Sequence, residues 1–289
     1  MSKLALGTVQ FGLNYGATNT LGRIRSSEAR LLLQRAQASG MDTLDTAINY
    51  GDSENVLGEH GVSNWKIVTK LPAIPEDCPN ISQWIREQTQ ESLSRLGVKR
   101  LYGLLLHHPG QLLKEGGGEI YAAMQDLKKE GLVTKLGLSI YNPKELNLLF
   151  DRYNIDLIQA PINIMDQRLI ESGWADRLKK SGVEIHARSI FLQGLLLIHK
   201  DQLPYKFNPW LEVWEEWHYW LKKTRQTPLQ ACLRFAINLP QIDRILIGVD
   251  SIKQLEEIIT NAEGKLDELP YFKPLEDDRL INPSTWKEL

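Results

Sequence analysis

Hydrophobic and polar positions follow two rhythms along this chain. Short apolar runs recur at Leu4–Thr8, Thr43–Thr46, Lys66–Lys70, Tyr102–His107, Thr134–Ser139, Leu157–Pro161, Glu184–Ala187 and Arg244–Ile247. Their length and β-rich content predict strands. Between them, apolar residues return every three or four positions, the spacing of one helix face. Helices are predicted over Ser27–Ser39, Ser53–His60, Ile81–Leu96, Ile120–Glu130, Pro143–Asp151, Gln167–Lys180, Pro209–Thr224, Pro228–Asn238 and Ser251–Ala262. Strict strand–helix alternation implies parallel strands joined by crossover helices. Eight units in 289 residues fit a closed (β/α)8 TIM barrel. An open doubly wound sheet would carry a phosphate loop of the form G-x-G-x-x-G after its first strand. Gln10-Phe11-Gly12-Leu13-Asn14-Tyr15-Gly16 does not match it. No low-complexity linker divides the chain, so residues 1–289 read as one domain, with an irregular tail from about residue 265.

A closed barrel turns sequence position into geometry, because its active site lies at the C-terminal strand ends. Asp45, Tyr50, Lys70, His107, Ser139, Gln159, Arg188 and Gly248 all fall at or just after such ends. Asp45, Tyr50 and Lys70 place a carboxylate, a phenol and an amine on neighbouring strands. A free tyrosine, with a pKa of about 10, is a poor acid at neutral pH. A nearby ammonium favours the phenolate, so Lys70 is expected to lower the pKa of Tyr50, with Asp45 orienting Lys70. His107 is placed to orient a substrate oxygen. Such a group protonates an oxygen as negative charge develops on it, as carbonyl reduction requires. No side chain supplies a hydride, so a cofactor must.

Composition narrows the alternatives. The net charge of -2 gives no electrostatic footprint for nucleic acid or an anionic membrane. No apolar run approaches the roughly 20 residues of a membrane span. Leu4 follows a single lysine without a signal-peptide layout, and a cytoplasmic protein is expected. Cys78 and Cys232 have no metal or redox spacing, so free thiols and no metal are expected.

Asp45-Thr46-Ala47-Ile48-Asn49-Tyr50-Gly51, Lys70 and Leu106-His107-His108-Pro109 resemble the aldo-keto reductase superfamily. So do Leu6-Gly7-Thr8, Gly137-Leu138-Ser139 and Gln159-Ala160-Pro161-Ile162-Asn163, and the match runs from about residue 4 to about 262. The resemblance implies a (β/α)8 barrel with NADPH extended across its rim. It implies Tyr50 as proton donor, Lys70 and Asp45 as its tuners, and His107 as the group orienting the carbonyl. It also implies that Ser139 and Gln159 hold the nicotinamide carboxamide, although Ile140 stands where asparagine is usual. Arg188 stands where a tyrosine commonly stacks on the nicotinamide, and its guanidinium suits a stack or a cofactor phosphate. After the last strand, Gly248 and Gln254 occupy positions where many relatives carry a lysine and an arginine for the 2′-phosphate. Lys253 is one residue away, Ser251 precedes a helix N-terminus, and Asp250 works against phosphate. NADP(H) rather than NAD(H) is the expected cofactor. The implied partner is a small carbonyl compound, sugar-derived ones included, acted on by a monomer or weak oligomer.

Two other readings stay open. Some relatives are nucleotide-binding, redox-sensing regulatory subunits with little turnover. A barrel aldolase using Lys70 as a Schiff-base amine would leave Tyr50 and His107 without a purpose. Trp210, Trp214, Trp217 and Trp220 form one helical stripe, expected to be packed core rather than an aromatic wall over a substrate. Leu192 to Asn208 is expected to cover cofactor, with Lys200 and Lys206 offered to phosphates. Trp65 and Trp286 receive no role, and Leu269–Leu289 is a candidate specificity tail.

Overall fold

Eight parallel strands close on themselves in chain order in the computed structural model, which describes residues 2–264, 266 and 277–286. They are β1 (Leu4–Gly7), β2 (Thr43–Asp45), β3 (Lys66–Leu71), β4 (Leu101–Leu106), β5 (Val133–Ser139), β6 (Leu157–Pro161), β7 (Glu184–Arg188) and β8 (Arg244–Ile247). β8 returns to β1, with Leu6 opposite Ile247. All strands and most helices stand within two residues of their sequence-predicted bounds, as the periodicity requires.

Inside the barrel, Val68, Leu105 and Leu157 form a small fully buried apolar plug. Gly137 makes the plug possible, since a Cβ there would lie 2.4 Å from Leu105 Cδ2 and 2.4 Å from the Leu157 carbonyl oxygen. Beneath the plug is a polar floor, where Tyr102 donates to Glu184 (2.7 Å) and Lys66 pairs with Asp42 (2.8 Å). The larger core lies between strands and helices. The plug separates the floor from the opposite rim, where the strands end.

Three predicted helices differ. The helix expected over 167–180 is two pieces, Arg168–Glu171 and Trp174–Lys180, divided at Gly173 with φ of 77°. The segment 143–151 is a 3-10 turn followed by the short helix Leu146–Leu149. The fourth crossover helix starts early, at Gly117, because that glycine lets the chain press on Leu112. An added Cβ would sit 2.2 Å from the Leu112 carbonyl oxygen.

Three tryptophans of the stripe are core, whereas Trp210 is half-buried and ends the 3-10 turn before the helix. Trp214 and Trp217 are fully buried, Trp220 nearly so, and the Trp217 and Trp220 rings stack 5.5 Å apart. The described part of the tail packs on the 3-10 turn Tyr205–Trp210 that leads into the helix Leu211–Thr224. Trp286 is buried edge-on to Phe207 at 4.9 Å, and Trp210 donates to Asp277 at 3.1 Å. Residues 269–276 and 287–289 of the predicted tail lie outside the described residues. Leu192–Asn208 runs through successive 3-10 turns. Contrary to expectation, its lysines are engaged by the protein. Lys200 pairs with Glu215 at 3.7 Å, and Lys206 donates to the Trp286 carbonyl at 2.8 Å. Trp65 lines a cavity of about 640 Å³ with Lys66, Lys99, Arg100 and Tyr102, among residues that begin β3 and β4. No helix among the described residues is long and apolar enough to cross a membrane.

Candidate active site

Parallel pairing sets the rim. Gly7 lies opposite Asp45, Lys70 opposite Leu105, Ser139 opposite Gln159, and Pro161 opposite Arg188. Asp45 therefore ends β2 while Lys70 stands one residue before the end of β3. Lys70 Nζ donates to Asp45 Oδ1 at 2.7 Å and to the Thr46 carbonyl at 2.8 Å. Asp45 is 5% exposed and Lys70 1%. Gln159 Nε2 donates to Asp45 Oδ2 at 2.7 Å, so both carboxylate oxygens are engaged.

Tyr50 reaches this pair through a tight turn. Thr8, Thr46 and Ser53 brace it with hydroxyl bonds of 2.8–3.0 Å. Gly51 has φ of 55°, and Gly12 approaches so closely that a Cβ would lie 1.7 Å from the Tyr50 carbonyl oxygen. The turn holds the Tyr50 ring with Lys70 Nζ 5.0 Å from its centroid. His107 follows β4 and sets its ring edge-on to Tyr50, centroids 6.0 Å apart. Its backbone N–H is tied to the Leu71 carbonyl at 3.1 Å, while its buried Nδ1 has no hydrogen-bond partner among the described residues.

The electrostatics depart from expectation at one point. The Tyr50 phenol is held well above its ordinary pKa, first by burial and next by the Asp45 carboxylate, with Arg188 opposing. Any downward pull from Lys70 is outweighed: its ammonium pairs with Asp45 at contact distance, and burial lowers its own pKa while Asp45 opposes that fall. Burial, followed by Lys70, His108 and Arg188, lowers the pKa of His107 to about 3. Its imidazole is thus neutral at ordinary pH.

The expected cofactor residues divide into two groups. Ser139 is buried and its hydroxyl has no partner among the described residues, while Gln159 donates through Nε2 and keeps Oε1 outside any hydrogen bond. A hydroxyl and an amide oxygen on facing residues complement a primary carboxamide, so this part fits a nicotinamide. At the other group, Gly248 lies against Gln10, whose Nε2 would be 2.7 Å from an added Cβ. Ser251 caps the helix Ile252–Asn261 by accepting from Gln254 N at 3.3 Å. The Gln254 side chain turns back to accept from Asp250 N at 2.7 Å. The Gln254 amide is therefore engaged in capping, which the sequence position alone does not reveal. Burial raises the pKa of Asp250, opposed by hydrogen bonding from the Gln254 and Gln10 side chains.

Two tyrosines went unnoticed in the sequence. Arg188 stacks on Tyr141, its guanidinium carbon 4.2 Å from the ring centroid. Tyr15 accepts a bond of 3.0 Å from Gln193, in a segment where Leu192, Gln193 and Gly194 all have positive φ. The only signal for Tyr141 was its place after Ser139-Ile140. Among the described residues no group of His, Cys, Asp and Glu could hold a metal ion.

Comparison with known proteins follows this geometry. Residues 3–270 match the model of the Aldo/keto reductase family. An uncharacterized oxidoreductase of Bacillus subtilis, YqkF, is 24% identical over 92% of this chain and 92% of its own. The aldo-keto reductase str7 of Strobilurus tenacellus is 26% identical over 93% of this chain and 86% of its own. L-Galactose dehydrogenase of Arabidopsis thaliana is 23% identical over 85% and 82% of the two chains. In fold, the holo form of the aldo-keto reductase AKR11C1 from Bacillus halodurans superposes with a TM-score of 0.75, covering 96% of this chain and 95% of that one at 21% identity. With a family match over nearly its whole length and the matching closed barrel, the chain belongs to the aldo/keto reductase family of nicotinamide-dependent oxidoreductases.

Proposed function

We propose that this protein reduces an aldehyde or ketone to the alcohol, with Tyr50 as the proton donor. The observation that carries this reading is the buried Asp45–Lys70 pair beside the Tyr50 ring, with His107 edge-on to it. Ser139 and Gln159 would hold a nicotinamide, which when bound and reduced would supply the hydride for the carbonyl carbon. Every other contribution comes from the chain. Neutral His107 donates a hydrogen bond to the carbonyl oxygen and fixes its angle. Tyr50 stays protonated until negative charge grows on that oxygen, then gives up its proton. The nearby ammonium of Lys70 stabilises the phenolate left behind. Asp45 keeps Lys70 charged, and Gln159 keeps Asp45 in place.

Ser139 and Gln159 are the residues proposed for the carboxamide, with Gly248, Ser251, Lys253 and Gln254 at the far end of the cofactor. NADP(H) is the proposed form, on the family's general use. Asp250 and the lack of a cation at Gly248 and Gln254 work against phosphate and make a small preference the expectation. A sugar-derived carbonyl is a candidate substrate, in keeping with the name of the Arabidopsis relative.

The test is NADPH and NADH oxidation across a panel of aldehydes and ketones. Tyr50→Phe should cut turnover by at least about 100-fold while cofactor still binds. Full activity in Tyr50→Phe would remove Tyr50 as the acid.

A further inference from the structure

Arg188 ends β7 with a guanidinium that has no carboxylate partner among the described residues. Its contacts are the Ser189 hydroxyl (3.3 Å), the Ile140 carbonyl (3.1 Å) and the face of Tyr141. A guanidinium carries five N–H donors, and these contacts leave most of them over. Arg168, Arg95 and Arg244, also partly covered, sit on Asp166, Glu54 and Asp42, whereas Arg234 bonds only the Gln226 amide oxygen and the Glu263 carbonyl, far from the strand-end rim. Shielding a cation from water without an anion is unfavourable, so a guanidinium held at the rim on uncharged partners is suited to an incoming anion.

Position says where that anion would sit. Arg188 lies opposite Pro161, two residues past Gln159, and bonds to the carbonyl of the residue after Ser139. It therefore stands beside the carboxamide pair and the Asp45–Lys70 line. Its direction is fixed by the next residue. Ser189 has φ of 56°, uncommon for a residue with a side chain, and its carbonyl accepts from Asn163 at 3.1 Å. Asp45 and Lys70 pair at contact and His107 is neutral, so Arg188 adds a positive charge to this part of the rim; the Asp166 carboxylate on which it also acts is held at contact by Arg168. A nicotinamide ring held at Ser139 and Gln159 brings no anion to that point, because its diphosphate lies beyond a ribose.

We propose that Arg188 binds a carboxylate on the substrate, so that the carbonyl compound reduced is an oxo-acid or the aldehyde of a sugar acid. This rests on the carbonyl-reductase reading above. Guanidinium and carboxylate match as a planar two-bond pair, and Tyr141 behind the guanidinium holds its plane.

The experiment compares a series of oxo-acids, 4-oxobutanoate among them, with their methyl esters. The native protein should favour the acids by about tenfold or more in kcat/KM, mainly through KM. Arg188→Met should collapse the acid-to-ester ratio toward one, and Arg188→Lys should retain part of it. A second measurement needs no turnover: calorimetric titration of the NADP+ complex with succinate, whose affinity should drop about tenfold or more in Arg188→Met. A native protein that treats esters and acids alike would overturn the proposal. So would Arg188→Met weakening NADP+ while the acid-to-ester ratio and the succinate affinity hold, which would give Arg188 to the cofactor. If no carbonyl is reduced at all, the reductase reading fails, and the succinate titration still decides the role of Arg188.

Discussion

Breaking the Asp45–Lys70 pair from either side should produce opposite pH dependences of stability. The two groups meet at 2.7 Å, almost entirely out of solvent. Lys70→Met leaves the Asp45 carboxylate with one donor, Gln159 Nε2. Asp45→Asn leaves the Lys70 ammonium with the Thr46 carbonyl. Removing one partner of a buried pair generally costs about 3–5 kcal/mol. An orphaned charge can escape by neutralising, which caps the electrostatic penalty at about 1.4 kcal/mol per pH unit from its free pKa. For a carboxylate of free pKa about 3.9, the cap is about 4 kcal/mol at pH 7 and about 1.5 at pH 5. For an amine of free pKa about 10.4, it is about 4.6 kcal/mol at pH 7 and about 2 at pH 9. Lys70→Met should therefore approach native stability as pH falls to 5, and Asp45→Asn as pH rises to 9. The double variant has no orphaned charge and should be more stable at pH 7 than either single one. Urea unfolding of the four proteins at pH 5, 7 and 9, without cofactor, gives the complete cycle. Losses below about 1 kcal/mol with no pH slope would place the pair in water, where exposed ion pairs are worth that little. That outcome would refute a dry reaction centre at this pair.

Two further outcomes follow from other groups. With its pKa lowered to about 3, His107 binds no proton where an unfolded histidine, near 6.5, does. It should lower stability as pH falls from about 6.5 toward 3, and His107→Gln should flatten that slope in pH-dependent thermal melts. Trp214 is fully buried and its indole N–H has no partner among the described residues. Trp214→Ala should cost about 3–5 kcal/mol in urea unfolding, and Trp214→Phe much less because no hydrogen bond is lost.

How much was legible depended on whether a residue's role is set by chain order or by packing. Strand ends are set by chain order, so the rim positions of Asp45, Lys70, His107 and Arg188 followed from counting β-rich runs. Packing is not. Gly12 looks like a loop glycine until Tyr50 is seen pressed on it, and Gly117 looks like a helix breaker until Leu112 is seen against it. Gln254 aligned with a phosphate-binding position, yet its amide bonds to Asp250 four residues back. Lys200 and Lys206 looked free because Glu215 and Trp286 are distant in sequence. Tyr141 was overlooked because an aromatic side chain alone does not say which cation will lie on it.

The direction of the Tyr50 shift changes what the lysine is for. A phenol whose pKa had been drawn toward 7 would be partly ionised in the resting site and unable to donate. Burial and Asp45 do the opposite and keep the proton on Tyr50. The difficulty moves to the phenolate left after transfer, in a place where water cannot solvate it. In the proposed reduction, Lys70 serves that moment. Asp45 keeps it charged despite burial, and once charge has moved onto Tyr50 the ammonium stands 5.0 Å from the ring centroid to receive it. Interactions that grow only as the reaction proceeds raise turnover, whereas those present throughout raise only affinity. Lys70→Met should therefore reduce kcat far more than it alters KM, and a loss confined to KM would assign Lys70 to binding instead.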